Sequence, residues 1–277
     1  MFRAPTIQVK TPAQMRAMRE SGLITCHILD SLCDAATAGT TTRQLDDLAR
    51  RLIGEAGATS SFLGYGASDG WPPYPGVVCI SVNDRVVHGI PDDRVLAAGD
   101  LVSIDFGVEY HGWHGDSART VIVGEGTPGR VALCEATRLA LWDGIAAIHD
   151  GCRVGDIGAA VAASVGGRYG IVRDYTGHGI GTQMHMEPDV PNVGRKGHGP
   201  VLRGGMCVAV EPIVTAGSPQ VASLDDEWTV VTRDGKDAAH WEHTVAITPG
   251  GLWVLTAADG GQAELAARGV AVAPVGD

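Results

Sequence analysis

The 277-residue chain holds six cysteines (Cys26, Cys33, Cys79, Cys134, Cys152, Cys207) and no CxxC pair among them. Thiols this sparse exclude a disulfide scaffold and read as reduced, buried residues of a cytoplasmic protein. Long apolar runs are missing as well: no stretch reaches the roughly 18 residues of a membrane span, and the N-terminal MFRAPTIQVKTPAQ lacks an apolar segment of signal-peptide length. Basic residues are outnumbered, 21 Lys and Arg against 32 Asp and Glu. The resulting net charge of −11 repels phosphate backbones and anionic lipid, so neither nucleic acid nor membrane is expected as a direct partner. Disorder, collagen and coiled coil are excluded by 44% apolar content, only 19% charged residues, and 39 Gly and 14 Pro without a period. HExxH, GxSxG and GxxxxGK[ST] are absent. A compact enzyme or binding protein remains.

The patterning that is present repeats. Thr11 and Pro12 cap a long first helix with Met15, Met18, Cys26, Leu29 and Cys33 on one face. Thr41 and Gln44 form a capping box for a second, with Leu45, Leu48 and Leu52 inward and Gly57 at its stop. A loop rich in Gly, Pro and aromatics (63–76) leads to three predicted strands, VVCISV from Val77, LVSIDF from Leu101 and RTVIV from Arg119. Thr127 and Pro128 then open a third helix, Arg153 to Gly167 reads as a fourth, and strands follow at IVRDY (171–175), MCVAVEPIV (206–214), WTVVT (228–232) and HTVAIT (243–248). The echo extends to single residues. Gly99 stands six positions before Asp105 and Gly205 six before Glu211, and HGI occurs at His88 and at His178. The expectation is an α/β (α+β) fold of two pseudo-symmetric halves, about 12–124 and 127–250, sharing a curved, largely antiparallel sheet covered by helices. Residues 1–11 are an extension, 12–256 one domain with a ligand cleft between its halves, and 257–277 a tail expected to fray.

Four acids sit in strand contexts: Asp105 in LVSIDFG, Asp116 in GWHGDSART, Glu211 in VAVEP and Glu242 in WEHTVAIT. A buried carboxylate without a partner costs several kcal/mol, and only Arg119 is a cation close in sequence. Divalent metal is the economical partner, with His178 of GHGIG completing an oxygen-rich set suited to Mn, Fe or Co at least as well as Zn. Other histidines carry less: HGWH (His111, His114) reads as an exposed hairpin turn, and alternation sends His243 to the face opposite Glu242. Gly124, Gly126 and Gly129 spell GxGxxG, but residues 131–150 stay helical in pattern and no βαβ unit closes, so these read as loop and cap.

With NDRVVHGIP, LVSIDFG, GWHGDSART, TGHGIG, AVEPI and WEHT in this order, the chain over about 12–256 closely resembles the type I methionine aminopeptidases of the pita-bread metallopeptidases. The resemblance implies a cytoplasmic, monomeric enzyme removing the initiator methionine from nascent polypeptides with a small second residue, in transient proximity to the ribosome. It implies two divalent ions (Co, Mn, Fe or Zn) on Asp105, Asp116, His178, Glu211 and Glu242, with Asp116 and Glu242 bridging, and attack of a metal-bridging hydroxide on the first peptide bond. Glu211 would relay the proton, His185 steady the oxyanion, and His88 contact the second residue's backbone nitrogen. Tyr65, Tyr74, Cys79, Met184 and Trp228 would form the methionine pocket. Departures from the family pattern are Met184 where an aromatic is usual, Met186 where an acid is usual, Phe62 where Cys is common, and an insertion at 68–73. Proline-specific members usually carry a long N-terminal domain, and non-catalytic members lose ligands; the resemblance favours neither.

Overall fold

The computed structural model of the chain describes residues 7–276; positions 1–6 of the expected extension and the last residue of the tail lie outside them. Helix α1 (Pro12–Ala35) starts at a closed capping box, Thr11 accepting from the Gln14 N–H and Gln14 from the Thr11 N–H. Helix α2 (Thr42–Ala56) starts at the expected box of Thr41 and Gln44 and stops at Gly57, whose φ of 66° is the left-handed geometry glycine tolerates. Both lay their apolar faces on one core built from Leu29, Leu32, Leu45, Ile80, Ile104 and Phe106. Helices α3 (Pro128–Ala146) and α4 (Val154–Val165) cover a second core containing Leu133, Leu141, Ile157, Val208 and Val245. Smaller clusters cross between the halves, Met15 and Met18 of α1 packing with Ile180, Ala246 and Leu255. The glycines that weaken α4 as a sequence pattern serve packing: a Cβ on Gly155 or Gly158 would stand 2.4 Å or 2.5 Å from the carbonyl oxygen of Arg195 or Pro191. Gly124, Gly126 and Gly129 are loop and first-turn residues before and at the start of α3. No described helix is long and apolar enough to cross a membrane.

The expected helices over a largely antiparallel strand layer are found; among the described residues the strands divide into four sheets, with Glu242 N–H donating to the Ala118 carbonyl (2.9 Å) across the halves. Three differences from the sequence expectation bear on function. The strand expected from Arg119 begins earlier, at Trp113–Ile122, because His111 and Gly112 (φ 52° and 82°) make a two-residue turn that lets it pair along its full length with Leu101–Tyr110. Asp116 therefore lies inside a strand. The run 206–214 breaks into Cys207–Val210 and Ile213–Thr215 because Pro212 lacks a ladder N–H; the two pieces join different sheets, with Glu211 at the break. Of 171–175, only Ile171 is strand, in the short segment Gly170–Ile171.

The internal echo is physical. Gly99 and Gly205 both have positive φ (89° and 93°), and their N–H groups donate to Val123 and Ile247, at the far ends of the neighbouring strand segments. Side-chain bonds close the seam between the halves: Thr244 Oγ1 donates to the Asp116 carbonyl (2.8 Å), Ser117 Oγ to that of Glu242 (2.7 Å), and Thr120 Oγ1 to that of His240 (2.8 Å).

The tail does not fray. It forms α5 (Gln262–Ala266), buries Leu265 completely, and bridges Val272 to Leu252. Arg19 on α1 donates to the carbonyls of Val254, Leu255, Ala257 and Ala258, holding the start of the tail. At the other end Lys10, only 4% exposed, donates through Nζ to the Ile180 carbonyl at 2.5 Å. Four of the six thiols are buried, whereas Cys33 and Cys134 are half-buried, and all six are free. Leu265→Ala should cost about 2–4 kcal/mol, read in urea as a lower midpoint at unchanged slope. An unshifted midpoint would mean that the tail lies outside the cooperative unit.

Candidate metal centre and substrate pocket

The hairpin Leu101–Tyr110/Trp113–Ile122 pairs Asp105 with Ala118 and Gly107 with Asp116, so the two acids share one face as diagonal neighbours. The other face of the first strand sends Ile104, Phe106 and Val108 into the core. Gly107 is required opposite Asp116: a Cβ there would stand 2.9 Å from Asp116 Oδ1 and 3.1 Å from the Gly115 carbonyl. From the second half come Glu211 at the Pro212 break and Glu242 just ahead of the strand His243–Thr248. His178 is held between Gly177 and Gly179, where a Cβ would meet carbonyl oxygens at 2.3 Å and 2.1 Å. His178 Nδ1 lies 2.9 Å from the Gly179 carbonyl. A carbonyl only accepts, so Nδ1 carries the proton and Nε2 presents a lone pair. That lone pair faces Glu211 Oε1 at 3.6 Å and Asp116 Oδ2 at 3.9 Å.

These five residues fit divalent cations. Asp105 Oδ1, Asp116 Oδ1 and Glu242 Oε1 are buried without a hydrogen-bond partner, a costly condition unless something else satisfies them. Ligand atoms of Asp105, Asp116 and Glu242, and of His178, Glu211 and Glu242, converge within 4.8 Å, and a third group joins Asp116, His178 and His185. Asp116, His178 and Glu242 each belong to two groups. Among the described residues no Lys or Arg pairs with the cluster, and Arg119 turns away to Asp30 at 2.6 Å. Burial first, then the neighbouring carboxylates, push Asp105, Glu211 and Glu242 well above the usual carboxylate range. Burial takes Asp116 up to about 7 and His178 down to about 4, which keeps that imidazole neutral as a ligand must be.

The cluster floors a cavity of about 190 Å³ that every sequence-predicted site residue lines. Tyr74, Cys79 and Met184 are buried together with Phe62, and Trp228 packs on them with its ring edge-on to Tyr74 at 5.3 Å. Tyr65 stands at the rim, 37% exposed, with its hydroxyl 2.6 Å from His185 Nδ1. His88 occupies the left-handed region (φ 56°), a strained backbone for a non-glycine residue, and its ring stands edge-on to Tyr175 at 5.2 Å and Trp228 at 6.1 Å. Residues 68–73 are pinned to the pocket wall, Trp228 Nε1 donating to the Pro72 carbonyl (3.0 Å) and Trp71 N–H to that of Gly66 (3.1 Å). Met186 is half-buried at the start of the strand Met186–Val190.

The exposed-turn expectation for HGWH holds for His111 alone. His114 lies in the strand, half-buried, with Nδ1 2.8 Å from Ser61 Oγ, because the hairpin turn is only two residues long. His243 is buried on the face away from the cavity, its Nδ1 2.9 Å from Thr256 Oγ1. His240 also lines the cavity and is buried, and the sequence reading misses it. Its spacing of two from Glu242, which alternation turns into a shared face, was the available signal.

Residues 16–249 match the family model described as Metallopeptidase family M24. Methionine aminopeptidase 1 of Mycobacterium tuberculosis is 47% identical over 255 residues, 89% of this chain and 94% of that protein. The crystal structure of methionine aminopeptidase from Thermotoga maritima superposes with a TM-score of 0.87 at 37% identity, covering 91% of this chain and 99% of its own. Prolidase from Pyrococcus furiosus, at 23% identity and a TM-score of 0.69, shares the fold; the match covers 90% of this chain and 65% of the prolidase.

Glu242→Gln should separate charge repulsion from cation binding. In chelator its unfolding midpoint should equal or exceed that of the unaltered protein, since a like charge is removed. In saturating Mn(II) it should gain less stability, a tenfold weaker site corresponding to about 1.4 kcal/mol. Equal cation-induced shifts in the two proteins would contradict the assignment.

Proposed function

The chain belongs to metallopeptidase family M24 and its activity is the metal-dependent removal of N-terminal methionine, and we propose that its substrates are nascent polypeptides whose initiator methionine precedes a small residue. The observation that carries this reading is adjacency: a cluster of four carboxylates and one imidazole forms the floor of a cavity whose wall is an apolar, sulfur-containing and aromatic pocket. In the proposal Asp105, Asp116, His178, Glu211 and Glu242 would hold two divalent ions, drawn from Co, Mn, Fe or Zn. When bound, such ions polarise a carbonyl and lower the pKa of water.

The chain's own residues then have distinct tasks. Tyr74, Trp228 and Met184 take up the methionine side chain, whose thioether is favoured at aromatic edges. Phe62 and Cys79, both buried, close the pocket behind it, which limits the length of side chain the pocket takes. His88, on its strained backbone, hydrogen-bonds the second residue's backbone nitrogen. The rings of Tyr175 and Trp228 beside His88 narrow that position, which supports a small second side chain. Glu211 takes a proton from the water that adds to the scissile carbonyl and passes it to the leaving amine as the C–N bond breaks. His185 steadies the developing negative charge on the carbonyl oxygen. The Tyr65 hydroxyl, bonded to His185 Nδ1, directs the opposite nitrogen of that ring into the cavity, so Tyr65 orients His185 as well as bordering the pocket.

Mn(II)- or Co(II)-loaded protein should release methionine from Met-Ala-Ser, with Glu211→Gln and His185→Ala each lowering kcat by about 10²-fold or more. Cleavage of Xaa-Pro peptides and not of Met-Ala-Ser would overturn the substrate assignment. Tyr65→Phe keeps the ring and removes only the hydroxyl; kcat should fall about two- to tenfold, the worth of one hydrogen bond, with KM nearly unchanged. A rise in KM at constant kcat would make Tyr65 a pocket wall only.

A further inference from the structure

Among the described residues, five buried side-chain atoms have no hydrogen-bond partner; three are carboxylate oxygens of the metal cluster, and a fourth is His240 Nε2. His240 is 2% exposed and ends the strand Ala238–His240, paired antiparallel with Ile213–Thr215. Thr120 holds its backbone from both sides, accepting from the His240 N–H (2.9 Å) and donating to its carbonyl (2.8 Å). The imidazole is therefore delivered to the cavity by the same seam that joins the two halves. The carboxylate it meets is Glu211, whose Oε2 lies 3.7 Å from His240 Nε2 while its Oε1 lies 3.6 Å from His178 Nε2. The two oxygens of Glu211 thus face different imidazoles, one belonging to the ligand set and one outside it.

We propose that His240 is a positioning residue of the metal centre, its Nε2–H directed at Glu211 Oε2 so that Glu211 offers only Oε1 to the cluster. The proposal rests on the ligand and proton-transfer roles given to Glu211 above. At 3.7 Å the contact is just beyond hydrogen-bond length, and a shift of about 0.5 Å brings it into range. Carboxylates that bind metals are themselves oriented by hydrogen bonds from groups that do not touch the ion, and loss of such a partner weakens binding or turnover about 10- to 100-fold. Glu211 has a separate backbone anchor, its carbonyl accepting from Asn192 Nδ2 at 3.0 Å, so His240 is required for the carboxylate and not for the main chain.

The test compares His240→Leu, which removes the donor at similar bulk, with His240→Gln, which restores an N–H. Calorimetric titration with Co(II) should show binding about 10- to 100-fold weaker for the Leu variant, together with an altered visible absorption spectrum of the Co(II)-loaded protein. Its kcat on Met-Ala-Ser should fall at nearly constant KM, and the Gln variant should recover most of all three. Should His240→Leu fail to fold, His240→Asn, too short to reach Glu211, takes its place with the same expected outcome. Unchanged Co(II) affinity and spectrum in the donor-free variant, or a Gln variant as impaired as Leu, would overturn the proposal. A parent protein that binds no Co(II) and releases no methionine would remove the reading of the centre itself, and this inference with it.

Discussion

Four carboxylates gathered at the seam between the halves, with no lysine or arginine paired with them among the described residues, are the constraint that organises this molecule. Hydrophobic packing alone would expel such a group of like charges. The fold instead spends several of its stranger local choices on assembling it: a two-residue hairpin turn through His111 and Gly112, a proline break after Glu211, and glycines at 107, 177 and 179 where no Cβ fits. Each lowers local regularity, and each delivers one ligand or makes room for one. Stability is supplied elsewhere, by two separate apolar cores beneath the two pairs of long helices.

Where local chemistry decides, the structure could be read from the residues. Thr41 and Gln44 announce a helix start, Gly57 its end, and both are found. The acids stand out for a similar reason, since a carboxylate amid β-branched residues conflicts with its surroundings wherever the chain folds. Non-local decisions were less legible. Whether 206–214 is one strand or two depends on which sheets lie alongside, and only the donor missing from Pro212 hints at the break. The small residues after Ala257 suggest a loose end, yet their ordering comes from Arg19, more than two hundred positions away.

The candidate site divides the same way. The motif resemblance names twelve residues, and all twelve line one cavity. Tyr65 lines the cavity and makes a further contact besides, its hydroxyl finding His185 across 120 positions of sequence, a pairing no spacing rule announces. His240 was open to a period-two argument from Glu242, but a histidine in a short strand carries no conflict of its own until burial shows that Nε2 has no partner. The repeated halves also differ in what they give the centre. The first contributes two aspartates from a regular hairpin, the second two glutamates and a histidine from interrupted backbone.

Lys10 ties the amino-terminal segment to the ligand loop, since its ammonium group holds the Ile180 carbonyl two residues beyond His178 and Gln8 grips Thr182 from both its amide nitrogen and its amide oxygen. Residues 8 and 10 of the expected extension are thus bonded to the segment that follows His178. Proteolytic trimming or a bulky fusion that displaced residues 8–10 would be felt first as a slackened histidine, well before the body of the protein lost its shape.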